Sequence, residues 1–572
     1  MRFGGKDAAV HCALCVLSLP NILQCGIVRH SGVVMKTRFI FITGGVVSSL
    51  GKGITAASIG LLLKSRGLSV INQKFDPYLN IDPGTMNPYQ HGEVFVTEDG
   101  GETDLDLGHY ERFTDVALHK FSSHTAGKVF LSILDHERAG DYHGETVQVI
   151  PHVTDEIKNR IIRTAEKTDS DIVITEIGGT VGDIESLPFI EAIRQIRNTV
   201  GKEHSLFIHL GLLPYLKECG EVKTKPMQHS VKELLGFGIQ PDIIMCRSEK
   251  KLSQSIREKL SLFCNVEQDA IIENLTAKSI YEVPLMLEEG NLGRKICRLF
   301  NIPDTPPDLK SWKAMVEAYY HPEKEVTVAL VGKYTELPDA YLSVSEALTA
   351  AGIYHRTQVR QIWIDAEKIA DAGKAQELLK EAHAIIVPGG FGERGVEGMI
   401  QTSAYARTNG IPYFGICLGM QVAVIDFARN VLGLTGAHST EFMKTCEQPV
   451  IDLMPDQQNA KLGGTLRLGL FRCMVAEHTK TEQAYKMHEI CERHRHRYEF
   501  NNIYRKHFEE SDMILSGINP ERDLVEIIEL KKHPWFVAVQ FHPEFVSRPN
   551  KPHPLFRDFI GAALERQKKQ HG

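Results

Sequence analysis

The sequence lacks several features that define large classes of proteins. Its 572 residues carry 65 lysines and arginines against 72 aspartates and glutamates, so no excess of positive charge indicates nucleic-acid binding through a broad basic surface. No low-complexity segment and no repeat at a solenoid period occurs, which excludes repeat architectures. Hydrophobic residues at 42% and charged residues at 24% are ordinary values for a packed globular protein.

The cysteines and the hydrophobic runs also lack the patterns of secreted or membrane proteins. The 11 cysteines are scattered, and only Cys12 and Cys15 are closely spaced, so neither a disulfide framework nor a zinc site is indicated. The apolar run from Ala13 to Leu23 is interrupted by Pro20 and is shorter than the ~20 residues that span a bilayer. We therefore expect a cytoplasmic protein without a membrane partner.

The first 34 residues only faintly resemble a signal peptide. Arg2 and Lys6 precede the apolar run, but no clear small-residue cleavage site follows it. We interpret residues 1–34 as a leader that is disordered or results from a misassigned start, and we expect the folded chain to begin near Met35.

Strand and helix patterns alternate along the rest of the chain. Its length exceeds what one hydrophobic core usually organises, so at least two domains are expected. Short β-branched runs such as Arg38–Thr43 and Asp171–Ile177 alternate with amphipathic stretches such as Leu187–Asn198. The alternation predicts an α/β protein in which each of two domains has a mostly parallel sheet flanked by helices.

A cluster of prolines between residues 301 and 325 divides the two series of strands and helices. Few spaced apolar residues accompany these prolines, which is typical of an ordered linker. We predict a first domain at 35–300, a linker at 301–325, a second domain at 326–566 and a tail at 567–572.

A glycine-rich segment between the first strand and the first helix has the features of a phosphate loop. Gly44 to Gly53 ends in Gly51-Lys52-Gly53, and backbone N–H groups at such a helix start can surround a phosphate. Lys52 can neutralise charge on the outer phosphates. Gly53 stands where a serine or threonine usually binds magnesium, so magnesium needs other ligands. A merely structural turn is the alternative.

Two acidic segments can supply hard oxygen ligands for magnesium. Asp104 and Asp106 lie close together, and Glu176 stands at the carboxyl end of a buried strand, where α/β sheets place their ligands. Asp104 has the alternative role of a helix cap or a solvated side chain. The segment Lys223 to Gln228 is a short basic loop whose ammonium groups can meet a second triphosphate, with a solvated loop as the alternative.

The second half contains the residues of a cysteine nucleophile and its base. Cys417 lies between two glycines at a strand-to-helix turn that resembles the nucleophile elbow of hydrolases, beside a helix start that favours the thiolate. His542 and Glu544 end a later strand, so the imidazole can take the thiol proton while the carboxylate orients it. Amides of the segment Pro388 to Gly392 can stabilise an oxyanion. The set predicts thiolate attack on a glutamine side-chain amide, with release of ammonia.

Glutamine also needs groups that hold its amino and carboxylate ends. Glu441 and the run from Arg493 to Tyr498 can supply them, because an arginine fork matches a carboxylate. A nucleic-acid patch is the competing interpretation of this run, but no aromatic stacking platform stands beside it.

From about Met35 to the C-terminus the chain resembles the CTP synthase family, whose members aminate UTP. The match rests on long and specific motifs rather than on single residues. These motifs are GGVVSSLGKG, the segment from Asn80 to Phe113, TEIGGTVGDIES, KTKPMQ, GICLGMQ, RHRHRYEFN and FHPE. The resemblance implies a synthetase domain like a phosphate-loop NTPase, followed by a class I glutaminase domain.

The resemblance implies a ligase that serves pyrimidine synthesis. ATP would phosphorylate the uracil 4-oxygen of UTP, and ammonia from glutamine would then displace phosphate to give CTP. It also implies Mg²⁺, GTP as an allosteric activator, CTP as a feedback inhibitor, and a homotetramer with nucleotide sites between subunits. Whether tetramers stack into filaments is left open, and so is the route of ammonia between the sites.

Roles for individual residues follow from the same resemblance, motif by motif. Those implied for ATP and its metal are Ser49, Leu50, Gly51, Lys52, Gly53, Ile54 and Asp106, with Asp106 and Glu176 as magnesium ligands and Lys52 and Lys74 as catalytic lysines. Those implied for UTP or CTP are Ser48, Asp183, Ile184, Glu185, Lys223, Thr224, Lys225, Pro226, Met227, Gln228 and Lys259. Those implied for glutamine are the triad Cys417, His542 and Glu544, with Gly390, Leu418, Gly419, Met420, Gln421, Glu441 and Arg497.

Three other hypotheses remain open at this point. A related amidotransferase, such as a cobyrinic acid amidating enzyme, would activate a carboxylate instead of a uracil oxygen. A partition-type ATPase or filament protein would use the unusual phosphate loop as a switch, but it would leave the cysteine, histidine and glutamate unexplained. A glutaminase that has lost activity is disfavoured because all three triad residues are present.

Overall fold

A computed structural model describes residues 36–47, 49–453 and 466–571 of the chain. The whole predicted leader, residues 1–34, lies outside the described residues, and so does Ser48, which was predicted to bind UTP. We refer below to residues 36–302 as the first half and to residues 324–571 as the second half.

The first half is organised around a sheet in which seven described strands all run parallel. The strands are rich in β-branched and aromatic residues, and Phe39 to Ile42 are fully buried, as expected for a sheet covered on both faces. The strands in spatial order are Ile271–Leu275, Ile243–Ser248, Ser205–Leu212, Arg38–Gly44, Ile172–Ile177, Val70–Asp76 and Ser123–Thr125.

Helices pack on both faces of this sheet, and two short hairpins project from it. The main helices are Lys52–Lys64, Asp106–Thr114, Ala126–Ala139, Thr154–Thr168, Leu187–Val200, Lys225–Gly236, Gln254–Cys264, Val283–Glu289 and Leu292–Leu299. The hairpins pair Phe95–Val96 with Glu102–Thr103 and Tyr215–Leu216 with Glu221–Val222.

The second half contains a mixed sheet of nine described strands. The five strands at one end are parallel, and the remaining strands add to them in antiparallel pairs. In spatial order the strands are Thr357–Asp365, Lys324–Gly332, Ala384–Val387, Tyr413–Ile416, Phe536–Val539, Leu524–Leu530, Met513–Asn519, Arg467–Val475 and Glu489–His496.

Helices and a smaller sheet complete the second half. The smaller sheet consists of Ala437–Ser439, Gln448–Leu453 and Tyr498–Phe500. The helices are Leu342–Tyr354, Ala372–Leu379, Val396–Thr408, Leu418–Asn430, Lys480–Tyr485, Arg505–Glu509 and Pro554–His571. The predicted α/β class with flanking helices is thus confirmed, and the antiparallel strands are an addition that the sequence analysis did not specify.

Two predicted connecting segments are helical in the structure. The segment predicted as a linker contains the helix Lys310–Tyr320, which buries Trp312, Met315 and Val316 against the first half. The spacing of these apolar residues, at i, i+3 and i+4, was the helical signal that the prolines obscured. The segment predicted as a tail, 567–572, is likewise helical as far as His571, because the helix Pro554–His571 continues into it.

Within the described residues no helix is both long enough and apolar enough to cross a membrane.

The two halves are joined by a buried ion-pair group, which we call the Glu111 junction. Glu111, on the first-half helix Asp106–Thr114, is fully buried. Its carboxylate lies 3.0 Å from Nη2 of Arg493 and 2.8 Å from Nη2 of Arg548, both from the second half. A buried carboxylate that serves two arginines is costly to remove, because both cations then lose their partner in a dry environment.

We therefore expect Glu111→Ala to lower the free energy of unfolding by about 3–5 kcal/mol in urea denaturation. Glu98→Ala is the matched control, since Glu98 also faces Arg493, at 3.5 Å, but its side chain is 38% exposed. An exposed pair of this kind contributes about 1 kcal/mol or less. Equal effects of the two substitutions would contradict the role given to the junction.

Candidate active site

The glycine-rich loop and the helix Lys52–Lys64 form a pocket floor at the carboxyl edge of the first sheet. Gly51 caps the helix with φ +88°, a left-handed conformation that favours glycine. A Cβ atom at Gly53 would lie 1.9 Å from Oδ1 of Asp106. The carboxylate of Asp106 therefore takes the space where a standard phosphate loop has its serine or threonine, which explains the departure from the standard motif.

Lys52 begins the helix and reaches back over the sheet. Its Nζ donates a hydrogen bond to the carbonyl oxygen of Gly179 at 2.7 Å. Burial lowers the pKa of Lys52, while the nearby carboxylate of Glu176 opposes this change. Ser49, Leu50, Gly51, Gly53 and Ile54 lie in the same loop and first helical turn, so the structure brings together the described part of the predicted ATP site.

A cluster of buried carboxylates surrounds the second predicted lysine. Nζ of Lys74 lies 2.6 Å from Asp106, 2.9 Å from Asp104 and 3.2 Å from Asp76. Glu176 pairs in register with Lys74 on the adjacent strand, and Tyr110 donates a hydrogen bond to its carboxylate. Asp104 also accepts from the backbone N–H of Asp106 at 3.0 Å, just before the helix that Asp106 begins, and it pairs with Lys74.

This cluster contains four carboxylates, those of Asp76, Asp104, Asp106 and Glu176, but only two lysines, Lys52 and Lys74. The positive charge therefore does not balance the negative charge. Burial raises the pKa of Asp76 to about 7 and that of Glu176 to about 8. Burial tends to raise the pKa of Asp106 as well. Lys74 and His109 have the larger effect and lower this pKa to about 2. Carboxylates with raised pKa values at the end of a sheet are typical of a site that takes a positive charge from a ligand.

The donor set fits a magnesium ion that completes its coordination with phosphates and water. Asp106 and Glu176 offer hard oxygen atoms beside the phosphate loop. Among residues 36–47, 49–453 and 466–571, no group of three or more acidic, histidine or cysteine side chains is arranged to hold a metal by itself. Magnesium often binds proteins through only one or two carboxylates, so two ligands agree with this chemistry.

The segment Lys223 to Gln228 is not the simple loop that the sequence suggested. The helix Lys225–Gly236 starts inside it, with Pro226 in the first turn and Met227 fully buried. Thr224 precedes the helix and accepts a hydrogen bond from the Gln228 amide at 3.0 Å. A helix start here replaces the predicted loop because Met227 packs into an apolar cluster under the segment. The two lysines remain accessible at the positive end of that helix.

The other residues predicted for UTP or CTP lie on the surface of the chain. Lys223 pairs with Glu221 at 2.6 Å, and Lys259 lies close enough to lower the pKa of the same carboxyl. Asp183, Ile184 and Glu185 form an exposed turn in which Asp183 accepts from the backbone N–H of Thr180 at 3.1 Å. Ile184 is 76% exposed, which is unusual for isoleucine and marks a surface that a ligand or another subunit can cover.

The nucleophile elbow is present at Cys417. The residue has φ 52° and ψ −102°, a conformation that side chains rarely adopt, and its N–H donates to the Val539 carbonyl at 2.7 Å. Nδ1 of His542 lies 2.7 Å from Oε1 of Glu544. A Cβ atom at Gly389 would lie 3.0 Å from Cε1 of His542 and 3.5 Å from Cβ of Cys417, so this glycine separates the two side chains.

The electrostatics of the triad favour a charged imidazole. Burial alone would lower the pKa of His542, but Glu544 and Cys417 outweigh it and raise this pKa to about 10. The protonated imidazole can therefore stabilise a thiolate and later donate a proton to a leaving amine. A cavity of about 80 Å³ borders Cys417 and His542, and Glu93 and Val94 of the first half also line it.

Of the residues predicted to hold glutamine, Gly390 and the triad line this cavity, and the others lie on adjacent segments. Leu418, Gly419, Met420 and Gln421 form the first turn of the helix after the elbow, and Gly390 packs against Leu418. Glu441 accepts from the backbone N–H of Gly392 at 2.9 Å. Burial raises the pKa of Glu441, while Lys333 and Arg497 oppose this change, so Arg497 lies near Glu441.

The arginine run does not act as one group. Arg493 is fully buried in the Glu111 junction, and Nε of Arg495 lies 2.9 Å from the carboxylate of Glu102 in the first half. Both side chains therefore make contacts between the halves, and Arg495 in addition lines the cavity beside Cys417. Arg497 alone of the three lies beside Glu441. The buried pairing also removes the support for a nucleic-acid patch.

The sequence analysis missed two side chains near the nucleophile. Gln540 is buried and donates from Nε2 to Sγ of Cys417 at 3.6 Å. Lys333 is buried after the strand Lys324–Gly332, and its Nζ donates to the Phe391 carbonyl at 3.2 Å. Burial lowers the pKa of Lys333 to about 8. Its position directly after a buried strand was the available signal, whereas Gln540 offered none.

Together these geometries define a class of protein: an amidotransferase that releases ammonia from an amide in one half and uses a nucleoside triphosphate in the other. Two family models match, the CTP synthase N-terminus at residues 38–302 and class I glutamine amidotransferase at residues 336–562. A CTP synthase of Treponema denticola is 74% identical over 531 residues, which cover 93% of this chain and 99% of that protein.

A second relative agrees with these matches. A CTP synthase of Caldanaerobacter subterraneus is 62% identical, with 92% of this chain and 98% of that protein covered. The solved glutaminase domain of a Trypanosoma brucei CTPS with bound acivicin is 37% identical and covers 42% of this chain and 94% of its own, with a TM-score of 0.40.

The chain belongs to the CTP synthase family. It is accordingly an enzyme, a ligase that carries a glutaminase domain. Members of the family convert UTP to CTP in pyrimidine synthesis with nitrogen from glutamine and ATP as a co-substrate. The alternative of a carboxylate-amidating enzyme is not favoured.

Proposed function

We propose that this chain makes CTP by activating the 4-oxygen of UTP with ATP in the first half and by supplying ammonia from glutamine in the second. The proposal rests on the presence of two sites in one chain. The first half has a phosphate loop beside a cluster of lysines and carboxylates, and the second half has a cysteine triad. Residues of the first half also line the cavity next to that triad. Phosphorylation turns a poor leaving oxygen into a good one, and ammonia then displaces it as phosphate.

In the glutaminase reaction Cys417 is the nucleophile. The thiolate attacks the side-chain amide carbon of glutamine, and amides near Gly389 and Gly390 stabilise the developing oxyanion. The imidazolium of His542 gives its proton to the amide nitrogen as the C–N bond breaks, which releases ammonia and leaves a thioester. The same imidazole then takes a proton from water, which hydrolyses the thioester to glutamate, while Glu544 holds the ring in place.

The remaining groups around the triad bind the rest of glutamine. Glu441 would receive the α-amino group, and Arg497 would pair with the α-carboxylate. Leu418 to Gln421 and Gly390 would line the site of the side chain.

The carboxylate of Glu544 should determine the pH above which glutaminase activity is lost. With the pKa of His542 raised to about 10, the ring stays protonated well above neutral pH. Glu544→Gln removes the main cause of that rise, so burial will lower the pKa, and we expect the alkaline limb of kcat/KM to move down by about 1 unit or more. The measurement is glutamate release from glutamine between pH 6 and 11.

Glu492→Gln is the matched control for this pH profile. Glu492 is also a buried carboxylate, and it forms a hydrogen bond of 2.9 Å with a histidine, His553. It lies outside the triad. Its substitution should leave the alkaline limb unchanged. An unshifted profile in Glu544→Gln would show that Glu544 does not control the charge of His542.

In the synthetase reaction Lys52 and Lys74 act on the transferring phosphoryl group. Lys52 would contact the outer phosphates of ATP, held by the loop from Ser49 to Ile54. Lys74, fixed by Asp76, Asp104 and Asp106, would balance charge as the phosphoryl group moves. Asp106 and Glu176 would hold Mg²⁺, which when bound shields the negative charge of the phosphates.

UTP would be bound by the segment Lys223 to Gln228 and by Lys259, and the prediction that Ser48 also binds it concerns a residue outside the described ones. The two lysines at the start of the helix Lys225–Gly236 suit a triphosphate, and Asp183 to Glu185 would help distinguish the product CTP as an inhibitor. Exposure of Ile184 agrees with a site that a neighbouring subunit completes in a homotetramer. We also propose GTP as an allosteric activator, a cytoplasmic location, and the domain bounds predicted from the sequence.

Transfer of oxygen tests the proposed chemistry directly. When UTP labelled with ¹⁸O at its uracil 4-oxygen is converted with ATP and ammonia, the label should appear in the released phosphate in proportion to CTP formed. This result is expected because the phosphorylated oxygen leaves with the phosphoryl group. Unlabelled phosphate accompanying labelled water would contradict activation of that oxygen by ATP.

A further inference from the structure

A second, larger cleft lies where the two halves meet, on the side of the first sheet that ends in the strand Ser123–Thr125. Its volume is about 930 Å³, enough for a nucleotide-sized molecule. None of the residues proposed above for ATP, UTP, magnesium or glutamine lines it. The cations of its wall are Lys120, Lys128, Arg160, Arg163 and Lys167 from the first half and Arg467 and Arg522 from the second.

Most of these cations have no acidic partner. In the part of the chain that the structure describes, Lys120, Lys128, Arg163 and Lys167 form no ion pair within 4 Å, whereas Arg160 pairs with Glu156 at 2.7 Å. Four acidic side chains, Asp82, Asp99, Glu102 and Glu156, also line the wall, fewer than its seven lysines and arginines. Glu102 pairs with Arg495, and Asp99 accepts from the Lys120 backbone N–H at 3.0 Å. The cleft is therefore positively charged at neutral pH.

The cations also crowd one another. Nη1 of Arg160 lies 3.4 Å from Nδ1 of His124, which is buried at the base of the cleft. Burial, with Arg160, Lys128 and Lys167 nearby, holds the pKa of His124 well below its ordinary range. Burial likewise lowers the pKa of Lys128, with Asp82 opposing this change and Arg160 adding to it. An anion placed among these groups would relieve the repulsion between them.

The second half contributes a buried donor to the same cleft. Arg467 is only 3% exposed and donates from Nη2 to Glu526 at 2.6 Å. Its Nε forms no hydrogen bond to any described residue. A buried guanidinium N–H without a partner is costly, and an anionic oxygen is the group that best satisfies it.

We propose that this cleft is a binding site for a small anion with two or more phosphate groups, which would contact both halves of the chain. The lysines and arginines of the first-half wall would bind the phosphates, and Arg467 would contact the ligand from the opposite side. The site is separate from the proposed nucleotide and glutamine sites, so it stands or falls independently of them. Because a ligand there touches both halves, its binding stabilises their docked arrangement.

The test uses the full chain with its proposed nucleotide sites already saturated by UTP, Mg²⁺ and a non-hydrolysable ATP analogue. Inorganic tripolyphosphate is then titrated by calorimetry, and about one further equivalent per chain is expected to bind. The triple variant Lys128→Gln, Arg163→Gln, Lys167→Gln should weaken this binding at least about tenfold, since each charge-assisted contact is strong. Competition by GTP would identify a nucleotide as the ligand, and its absence would favour inorganic polyphosphate.

Lys158→Gln is the matched control, because Lys158 lies on the same helix as Arg163 and Lys167 but pairs with Asp155 at 2.6 Å and does not line the cleft. It should bind tripolyphosphate as the unsubstituted chain does. CTP formation without added tripolyphosphate, measured in every variant, reports that the chain is folded. Absence of the additional equivalent, or equal binding by the triple variant and the control, would overturn the proposal.

Discussion

Cys417→Ala is expected to abolish CTP formation from glutamine and to leave CTP formation from ammonium salt nearly unchanged. Loss of a catalytic nucleophile typically costs roughly 10⁴-fold or more in rate. Free ammonia bypasses the step that needs the thiolate, because the phosphate loop and the lysine–carboxylate cluster lie in the other half. The measurement is the change in ultraviolet absorbance as UTP becomes CTP, with ATP and magnesium present and each nitrogen source tested separately.

Cys446→Ala is the control for this experiment. Cys446 lies in the same half and is partly buried, but it is outside the cavity that borders the triad. Both activities should survive its substitution. If Cys417→Ala lost the ammonia-dependent activity while remaining folded, the division of labour between the halves would be wrong.

Lys52→Ala is expected to have the complementary effect, a loss of CTP formation from either nitrogen source. The ammonium group stands at the helix start that faces the phosphates, and removal of one such electrostatic contact typically costs about 10²–10³-fold in rate. Burial has already lowered the pKa of Lys52, so the group is held in a dry environment where its charge acts strongly on a ligand. Rates of CTP formation with ammonium salt and with glutamine measure the effect.

The matched control for Lys52 lies at the other end of the same helix. Lys64 is the last residue of the helix, and its Nζ donates to the Thr114 carbonyl at 2.5 Å, away from the loop. Lys64→Ala should retain most of the activity from both nitrogen sources. Retention of full ammonia-dependent activity by Lys52→Ala would remove the phosphate loop from the reaction.

The parts of the site that could be predicted from the sequence are those carried by local patterns. Lys52, Glu176 and Cys417 each stand at the end of a buried strand or the start of a helix, and the carboxyl edge of a parallel sheet brings such positions together. The pairing of His542 with Glu544 needed only a spacing of two residues. Periodicity therefore sufficed for the fold class and local motifs indicated a phosphate site and a cysteine nucleophile, whereas the reaction on UTP came only from the resemblance to the family.

The contacts between distant segments could not be predicted in the same way. Nothing local shows that the carboxylate of Asp106 fills the space beside Gly53, because these residues lie far apart in the chain and meet only when two helices pack. Arg493 and Arg495 looked like ligands of glutamine, yet their partners Glu111 and Glu102 belong to the other half. The direction of a side chain depends on tertiary packing, which a motif does not encode.

The Glu111 junction also lies between the lysine–carboxylate cluster of the first half and the triad of the second half. Its helix carries Asp106 at one end and Glu111 near the other, and the carbonyl oxygen of Arg493 accepts from the backbone N–H of His542 at 2.8 Å. A single helix thus touches the lysine–carboxylate cluster and, through Arg493, the segment that positions the catalytic imidazole.

The most direct test of the whole account is conversion of UTP to CTP by the full chain, followed by ultraviolet absorbance with ATP and magnesium. The account predicts product with ammonium salt and product with glutamine plus GTP. Hydrolysis of ATP without CTP from either nitrogen source would contradict it.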